Sequence, residues 1–526
     1  GAFGGKSEKA LIPVLPAALA ATKLNRPIRC VLSMDDDMIA IGSRHTVYAQ
    51  YKVGCKNDGK ITGVNYKIFS NGGHKRGCTP NVLQMTLVYS DNSYKFENMM
   101  VEGVPLMTNT PSNTACRSSG SFQGVFLAEN LIHHVATELN LDPLKIREMH
   151  LYKDDDVTHY GQKMENVTVR KCWEEVMTSA DVEKRKKDIE DYNRDHKFTK
   201  RGIAMVPVKY GIGFPALVPS QAGALLQVYL DGTVLVSHGG TEYGQGINTK
   251  MTQIVSRALG IRMDLIYINE TTTSKVPNAS ATGGSTNTDL YGAALLNACN
   301  ELNDRLKLIK EKNPEGTWLA WIKEAYAERI SLSVFGFYRL NGITDIDWKT
   351  GRGSPFPYYT FGAACSEVEI DALTGAHTII RTDMVIDIGQ TLNPAIDVGQ
   401  IEGAFVMGLG LVLYEERLYT VAGKLATRGP LNYKIPGCTD IPSEFNVSLL
   451  KGSSNPKAVY SSKGIGEPTM HCSLSVFFAI KEAIRAARIQ NGLGPGHFRL
   501  NSPATSEAIR LACGDNFAKM VLENRT

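Results

Sequence analysis

No Cys-x-x-Cys pair occurs anywhere in this 526-residue chain. Its ten cysteines, Cys30, Cys55, Cys78, Cys116, Cys172, Cys299, Cys365, Cys438, Cys472 and Cys513, are too scattered to build a zinc or iron–sulfur cradle from neighbouring ligands. Long tracts without a local disulfide framework fit a reducing compartment. A cytoplasmic protein is therefore expected, and the sequon Asn278-Ala279-Ser280 reads as a chance match. No apolar run reaches bilayer-spanning length, no charged and then apolar leader opens the chain, and its end, Glu523-Asn524-Arg525-Thr526, lacks the peroxisomal tripeptide. No membrane partner is expected. Surplus charge is missing too: a net +4 spread over this length points to no acidic partner. The densest basic run, Lys184-Arg185-Lys186-Lys187, is interleaved with Glu183, Asp188, Glu190 and Asp191, the pattern of a solvated helix face or linker, so nucleic acid is not an expected partner.

What is present is ordinary in amount and unusual in arrangement. The length exceeds what one core can serve, so several compact units are expected. Residues 1–155 mix strand-like runs at 28–32, 46–53 and 62–69 with one clear helix at 123–139. Residues 156–201 read as a charged connecting segment, helical in part. Residues 202–526 form a second unit, with strands at 225–230, 233–238, 365–370 and 377–386 and helices at 249–259, 291–312 and 473–487, the last with the apolar spacing of a helix packed on one face. The fold class is α+β in several layers.

Chemistry enters at residues 461–468, Ser-Ser-Lys-Gly-Ile-Gly-Glu-Pro. The glycines let the backbone approach a ligand, and Pro468 favours the first turn of a helix, so Glu467 stands in a constrained loop at a helix N-terminus, placed as a general base. Alone, such a turn reads as solvated surface. Three further segments share its composition: Gly1-Ala2-Phe3-Gly4-Gly5-Lys6, residues 239–246 (Gly-Gly-Thr-Glu-Tyr-Gly-Gln-Gly) and residues 278–286 (Asn-Ala-Ser-Ala-Thr-Gly-Gly-Ser-Thr). None has the Walker or Rossmann spacing. Loops of this kind ahead of helices expose backbone N–H groups that bind anions, and together they call for one large, polar, anionic ligand.

The motifs Phe3-Gly4-Gly5-Lys6, Ser112-Asn113-Thr114-Ala115-x-Arg117, the 239–246 loop, Gly399-Gln400-x-Glu402-Gly403-Ala404 and Gly466-Glu467-Pro468 occur in the order and spacing of the molybdenum hydroxylases. Over its whole length the chain resembles the molybdopterin-binding part of aldehyde oxidases and xanthine dehydrogenases. The resemblance implies a bound molybdenum–molybdopterin group. It also implies that the chain is a piece of a longer homodimeric enzyme, whose upstream part carries 2Fe-2S clusters and FAD and passes electrons to dioxygen or NAD. Glu467 matches the family's catalytic glutamate. Phe3, Arg117 and Gly284 match positions beside the metal, with no direct side-chain ligand. Gly4, Tyr243, Gln245, Gly283, Ser285, Gln400 and Ile465 match the pterin's surroundings.

The departures bear on substrate. Where xanthine dehydrogenases have a glutamate just after Phe-Gly-Gly-Lys, this chain has Ser7, and where they have an arginine ahead of the Asp-Asn-x-Tyr-Lys segment, it has Met85. Losing both removes roughly 2 to 5 kcal/mol of polar recognition of a purine. Ser119 stands where the purine enzymes place a stacking phenylalanine, while Phe214 matches the opposite aromatic wall. The resemblance is closer to aldehyde oxidase: an aldehyde oxidised to its acid with water as oxygen source, N-heterocycles being less suited. The alternative is a xanthine dehydrogenase that hydroxylates purines and reduces NAD.

Overall fold

The computed structural model describes residues 3–523 apart from Glu8, so Gly1 and Ala2 of the first glycine-rich loop and the terminal Asn524, Arg525 and Thr526 lie outside the described residues. Strands β1 (Val47–Cys55), β2 (Ile61–Asn71) and β3 (Met99–Leu106) form a sheet in the order β1-β2-β3. Next come β4 (Thr199–Gly211), β5 (Gln221–Val228), β6 (Val234–His238), β7 (Ile266–Ile268) and β8 (Ser333–Arg339), of which the last four make a sheet in the order β7-β6-β5-β8. Finally β9 (Tyr359–Asp371), β10 (His377–Ile386) and β11 (Glu444–Leu449) join β4 in the order β11-β10-β9-β4.

Strands β4 and β9 are almost wholly buried along their length, because the sheet is covered on both faces and its central strands carry apolar residues at successive positions. They pair antiparallel from Thr199↔Asp371 to Gly211↔Tyr359. One face carries the helix Leu474–Gln490, and the approach needs Gly202: a Cβ there would stand 2.1 Å from the Ala479 carbonyl oxygen. This helix, expected to pack on one face, is instead buried on nearly all sides, as the helix Ser121–Glu138 lies across it with Phe126 and Phe477 ring centroids 4.9 Å apart.

The apolar core does not follow chain order. One apolar cluster runs continuously from Ile61 to Cys513, and a second, from Ala222 to Val459, fills the lobe built on β5 to β8. Residues 156–201 are no free connector, since the helix Val169–Ser179 buries Cys172, Trp173 and Val176. The basic run that read as solvated also contributes to the interior: Arg185 pairs with Glu367 at 2.7 Å and Asp383 at 3.2 Å. Residues 28–32, expected as a strand, are not one; no described strand lies beside them to take their backbone hydrogen bonds. The stretch Pro394–Tyr414 is long and apolar enough to cross a membrane, against the expectation. Here it is a partly buried helix whose Ile401, Ala404, Phe405 and Leu409 enter the core and whose buried Asp397 pairs with Lys250 at 2.8 Å.

Candidate active site

Glu467 is held by groups from three separate parts of the chain. Its Oε1 accepts the Ser118 N–H at 3.0 Å, and its Oε2 accepts the Tyr210 hydroxyl at 2.7 Å and the Ser285 hydroxyl at 3.1 Å. The backbone is pinned as well: the Glu467 N–H donates to Ser285 Oγ at 2.9 Å, and its carbonyl accepts from Ser118 Oγ at 2.6 Å. Ser118 and Ser285 sit in the left-handed region at φ +61° and +57°, and Phe3 at +47°. Side chains there cost about 1–3 kcal/mol and persist where surrounding contacts hold them, commonly at functional sites.

The loop before Glu467 is strapped to the residues that follow β10. The Lys463 N–H donates to the Ile388 carbonyl at 2.9 Å, and its buried ammonium lies 2.6 Å from Asp387. Burial pulls the Asp387 carboxyl upward, yet Lys463 and the hydroxyls of Ser453 and Thr168 hold it below its ordinary range. The register of β4 with β9 puts Thr360 opposite Tyr210, and Thr360 donates to the Gly464 carbonyl at 2.7 Å while Tyr210 reaches the carboxylate. A Cβ on Gly464 would lie 2.3 Å from the Ser285 carbonyl oxygen, so only glycine lets the 285 and 464 loops meet.

Arg117 ties the remaining loops together. Its N–H donates to the Phe3 carbonyl at 2.8 Å; its guanidinium donates to the Gly466 carbonyl and to Gln400, at 3.0 Å to the carbonyl and 3.2 Å to the side chain. Burial draws this guanidinium down to about 10, against the opposing pull of Glu467. In the 239–246 loop the expected anion nest is partly spent: Glu242 accepts the N–H groups of Gly244 (2.9 Å), Gly246 (3.0 Å) and Asn248 (3.0 Å). That loop turns side chains toward the cavity instead, Tyr243 donating to the Thr282 carbonyl at 3.0 Å and Gln245 to the Thr241 carbonyl at 2.8 Å. Both glycine-rich loops do precede helices, Ile247–Leu259 and Asn287–Lys312.

These pieces enclose one cavity of about 780 Å³. Every candidate residue lines it: Phe3, Gly4, Arg117, Tyr243, Gln245, Gly283, Gly284, Ser285, Gln400, Ile465 and Glu467, and also Ser7, Met85, Ser119 and Phe214. Phe214 folds over Gly283, where a Cβ would come within 2.9 Å of its ring. Sequence reasoning missed Ser118, Tyr210 and Asp289. Tyr210 lies in a run that reads as plain core, and its nearness to Phe214 was the one available signal. Asp289 lies on the helix Asn287–Lys312 at the cavity margin, accepts the Tyr358 hydroxyl at 2.6 Å, and is pushed up to about 7 by burial, against the pull of that bond and of Lys250.

A cavity of this volume, lined by glycine-rich loops and a few convergent polar and charged groups around the fixed Glu467 carboxylate, has the size and make-up of a ligand or cofactor site. Residues 1–151 and 175–442 match the molybdopterin cofactor-binding domain family. The chain belongs to the molybdenum hydroxylases, the family of xanthine dehydrogenases and aldehyde oxidases. It is 48% identical over 521 residues to a xanthine dehydrogenase of Calliphora vicina, covering 99% of this chain and 38% of that one. It is equally 48% identical over 525 residues to aldehyde oxidase 3 of Mus musculus, covering 99% and 39%. The chain thus spans about two fifths of the length of these curated relatives. The aldehyde oxidoreductase of Desulfovibrio gigas shares the fold, with a TM-score of 0.84 at 24% identity over 98% of this chain and 54% of that one. The residues present fit molybdopterin: at Gly284, φ +64°, a Cβ would collide with Gly213 at 2.9 Å, and with Gly464 it keeps the cradle narrow and backbone-lined.

Proposed function

We propose that this chain, within a longer enzyme, oxidises aldehydes to carboxylic acids with water as the oxygen source: RCHO + H2O gives RCOOH, two protons and two electrons. The observation that carries the reading is the pairing of Glu467, fixed by three donors, with a substrate wall of Ser7, Met85, Ser119 and Phe214. Glu467 accepts the proton released as oxygen adds to the aldehyde carbon, and its restraint removes most of the cost of orienting it. Molybdopterin, when bound, supplies two-electron redox chemistry at molybdenum. Phe3, Gly4, Tyr243, Gln245, Gly283, Gly284, Ser285, Gln400 and Ile465 would hold it, and Arg117 keeps the Gly466 loop and the helix carrying Gln400 in register around it. Met85 and Phe214 favour an apolar substrate body, and Ser7 and Ser119 leave it room. The remaining protein would carry 2Fe-2S and FAD centres to supply the electron path to dioxygen, in a cytoplasmic homodimer.

The second reading is purine hydroxylation with NAD as acceptor, favoured by the equal identity to a xanthine dehydrogenase and by the retained Phe214. Steady-state assay of the full-length enzyme against aldehydes, xanthine and an N-heterocycle decides between them. Aldehydes should be preferred by kcat/KM; a preference for xanthine replaces the first reading with the second.

A further inference from the structure

We propose that Tyr210 is a positioning residue for the proton acceptor, its hydroxyl fixing the orientation of the Glu467 side chain and which of its oxygens remains free for substrate; this rests on the reading of Glu467 as the base. Tyr210 is fully buried near the end of β4, its ring packed on Tyr89 (centroids 5.1 Å apart) and His471 (5.9 Å). Backbone pairing along the whole of β4 leaves the ring little freedom. Its O–H donates to Oε2 at 2.7 Å, shorter than the Ser285 bond to the same oxygen. A proton arriving on Oε2 would displace this bond, so the hydroxyl opposes protonation there and leaves Oε1, with its single backbone donor, as the accepting side.

The donor itself stays protonated. Burial, then the neighbouring Glu467 and Tyr89, push the Tyr210 phenol well above its ordinary range. The other titratable groups facing Glu467 and Tyr210 are Arg117 from the 112–119 loop, Tyr89 from the helix Thr79–Tyr89, Tyr243 from the 239–246 loop and His471 from the turn after Glu467. Burial holds the His471 imidazole down at about 3, so it brings no charge. Arg117 spends its guanidinium bonds on Gly466 and Gln400, leaving hydroxyl and backbone donors as the direct partners of the carboxylate.

The test is Tyr210→Phe in the full-length, metallated enzyme, a change that keeps the ring and deletes one hydroxyl. The acid limb of the kcat profile should move up by about one pH unit, the worth of one hydrogen bond to a charged group. KM for the aldehyde and molybdenum content should stay as they were. Isotope-edited infrared spectra, with Glu467→Gln as the subtraction standard, should show the carboxyl-to-carboxylate conversion moving by the same interval. Incorporating 3-fluorotyrosine at 210, a stronger donor, should move both in the opposite direction, and decides alone if Tyr210→Phe fails to fold. An unmoved limb and infrared titration, or a uniform rate loss at every pH, overturns the proposal. Full activity in Glu467→Gln would instead remove the base assignment, while the infrared titration still reports on Tyr210.

Discussion

Around Glu467 the cavity wall is built of backbone, hydroxyls and glycines, with three loops, strand β4 and the helix Pro394–Leu409 interlocked by hydrogen bonds; around Met85 and Phe214 it is made of a few side chains on a helix and a loop. On the first wall a change at one residue disturbs others: moving Ser285 shifts the carboxylate, and moving Arg117 frees both Gly466 and Gln400. On the second wall Met85 is one buried side chain of the helix Thr79–Tyr89, replaceable without unlacing a loop. A site built this way keeps its reaction type and lets its substrate range drift.

The strongest challenge to that contrast is Glu467→Gln. Turnover should fall about a thousandfold while molybdenum content is retained, since a positioned general base contributes about 10²–10⁴; a full rate in a metallated variant breaks the assignment. Next is Arg117→Met, which removes the guanidinium clasp. Rate should drop about 10- to 100-fold with a lower Tm and lower metal occupancy, because charged hydrogen bonds are worth about 1.5–3 kcal/mol each; an unchanged Tm and metal content would show that the loops hold without it. Smaller, and confined to the other wall, is Met85→Arg combined with Ser7→Glu. Xanthine kcat/KM should rise about tenfold at the expense of aldehydes, and an active variant with the parental preference removes those residues from substrate choice.

The mildest effect is expected at Asp289. Its folded carboxyl keeps a proton up to about 7, whereas the unfolded chain releases it in the ordinary range near 3.8. Native stability from this residue is therefore present at low pH and lost as pH rises toward 7. Asp289→Asn cannot ionise and can still accept from Tyr358, so its Tm should gain on the parent by a few degrees between pH 5 and pH 8. A Tm difference constant with pH would show that Asp289 is not charged on folding's account.

Periodicity found elements whose patterning is strong and local: the helix Ser121–Glu138, the hairpin strands β5 and β6, and β10 over residues 377–386. It misread elements whose burial comes from distant neighbours. The helix Leu474–Gln490 looked one-faced until a sheet and a second helix enclosed it, and Lys184-Arg185-Lys186-Lys187 looked solvated until Glu367 and Asp383 closed on Arg185. The expected units, 1–155 and 202–526, share one apolar cluster with members between Ile61 and Cys513, gathered without regard to chain order.

The site divides along the same line. Glycine, a proline and one carboxylate in a short loop specify a local conformation, so the chain alone pointed to Glu467 and the glycine-rich loops, while the motif order pointed to the family and, through it, to Arg117. That Ser118, Tyr210 and Ser285 converge on the two oxygens of that carboxylate is not written in any stretch of residues. Tyr210 stands 257 residues from Glu467, and Ser118 stands 349 away. Over such separations, hydrogen-bond partners are set by strand register and helix packing, which exist only once the core has formed.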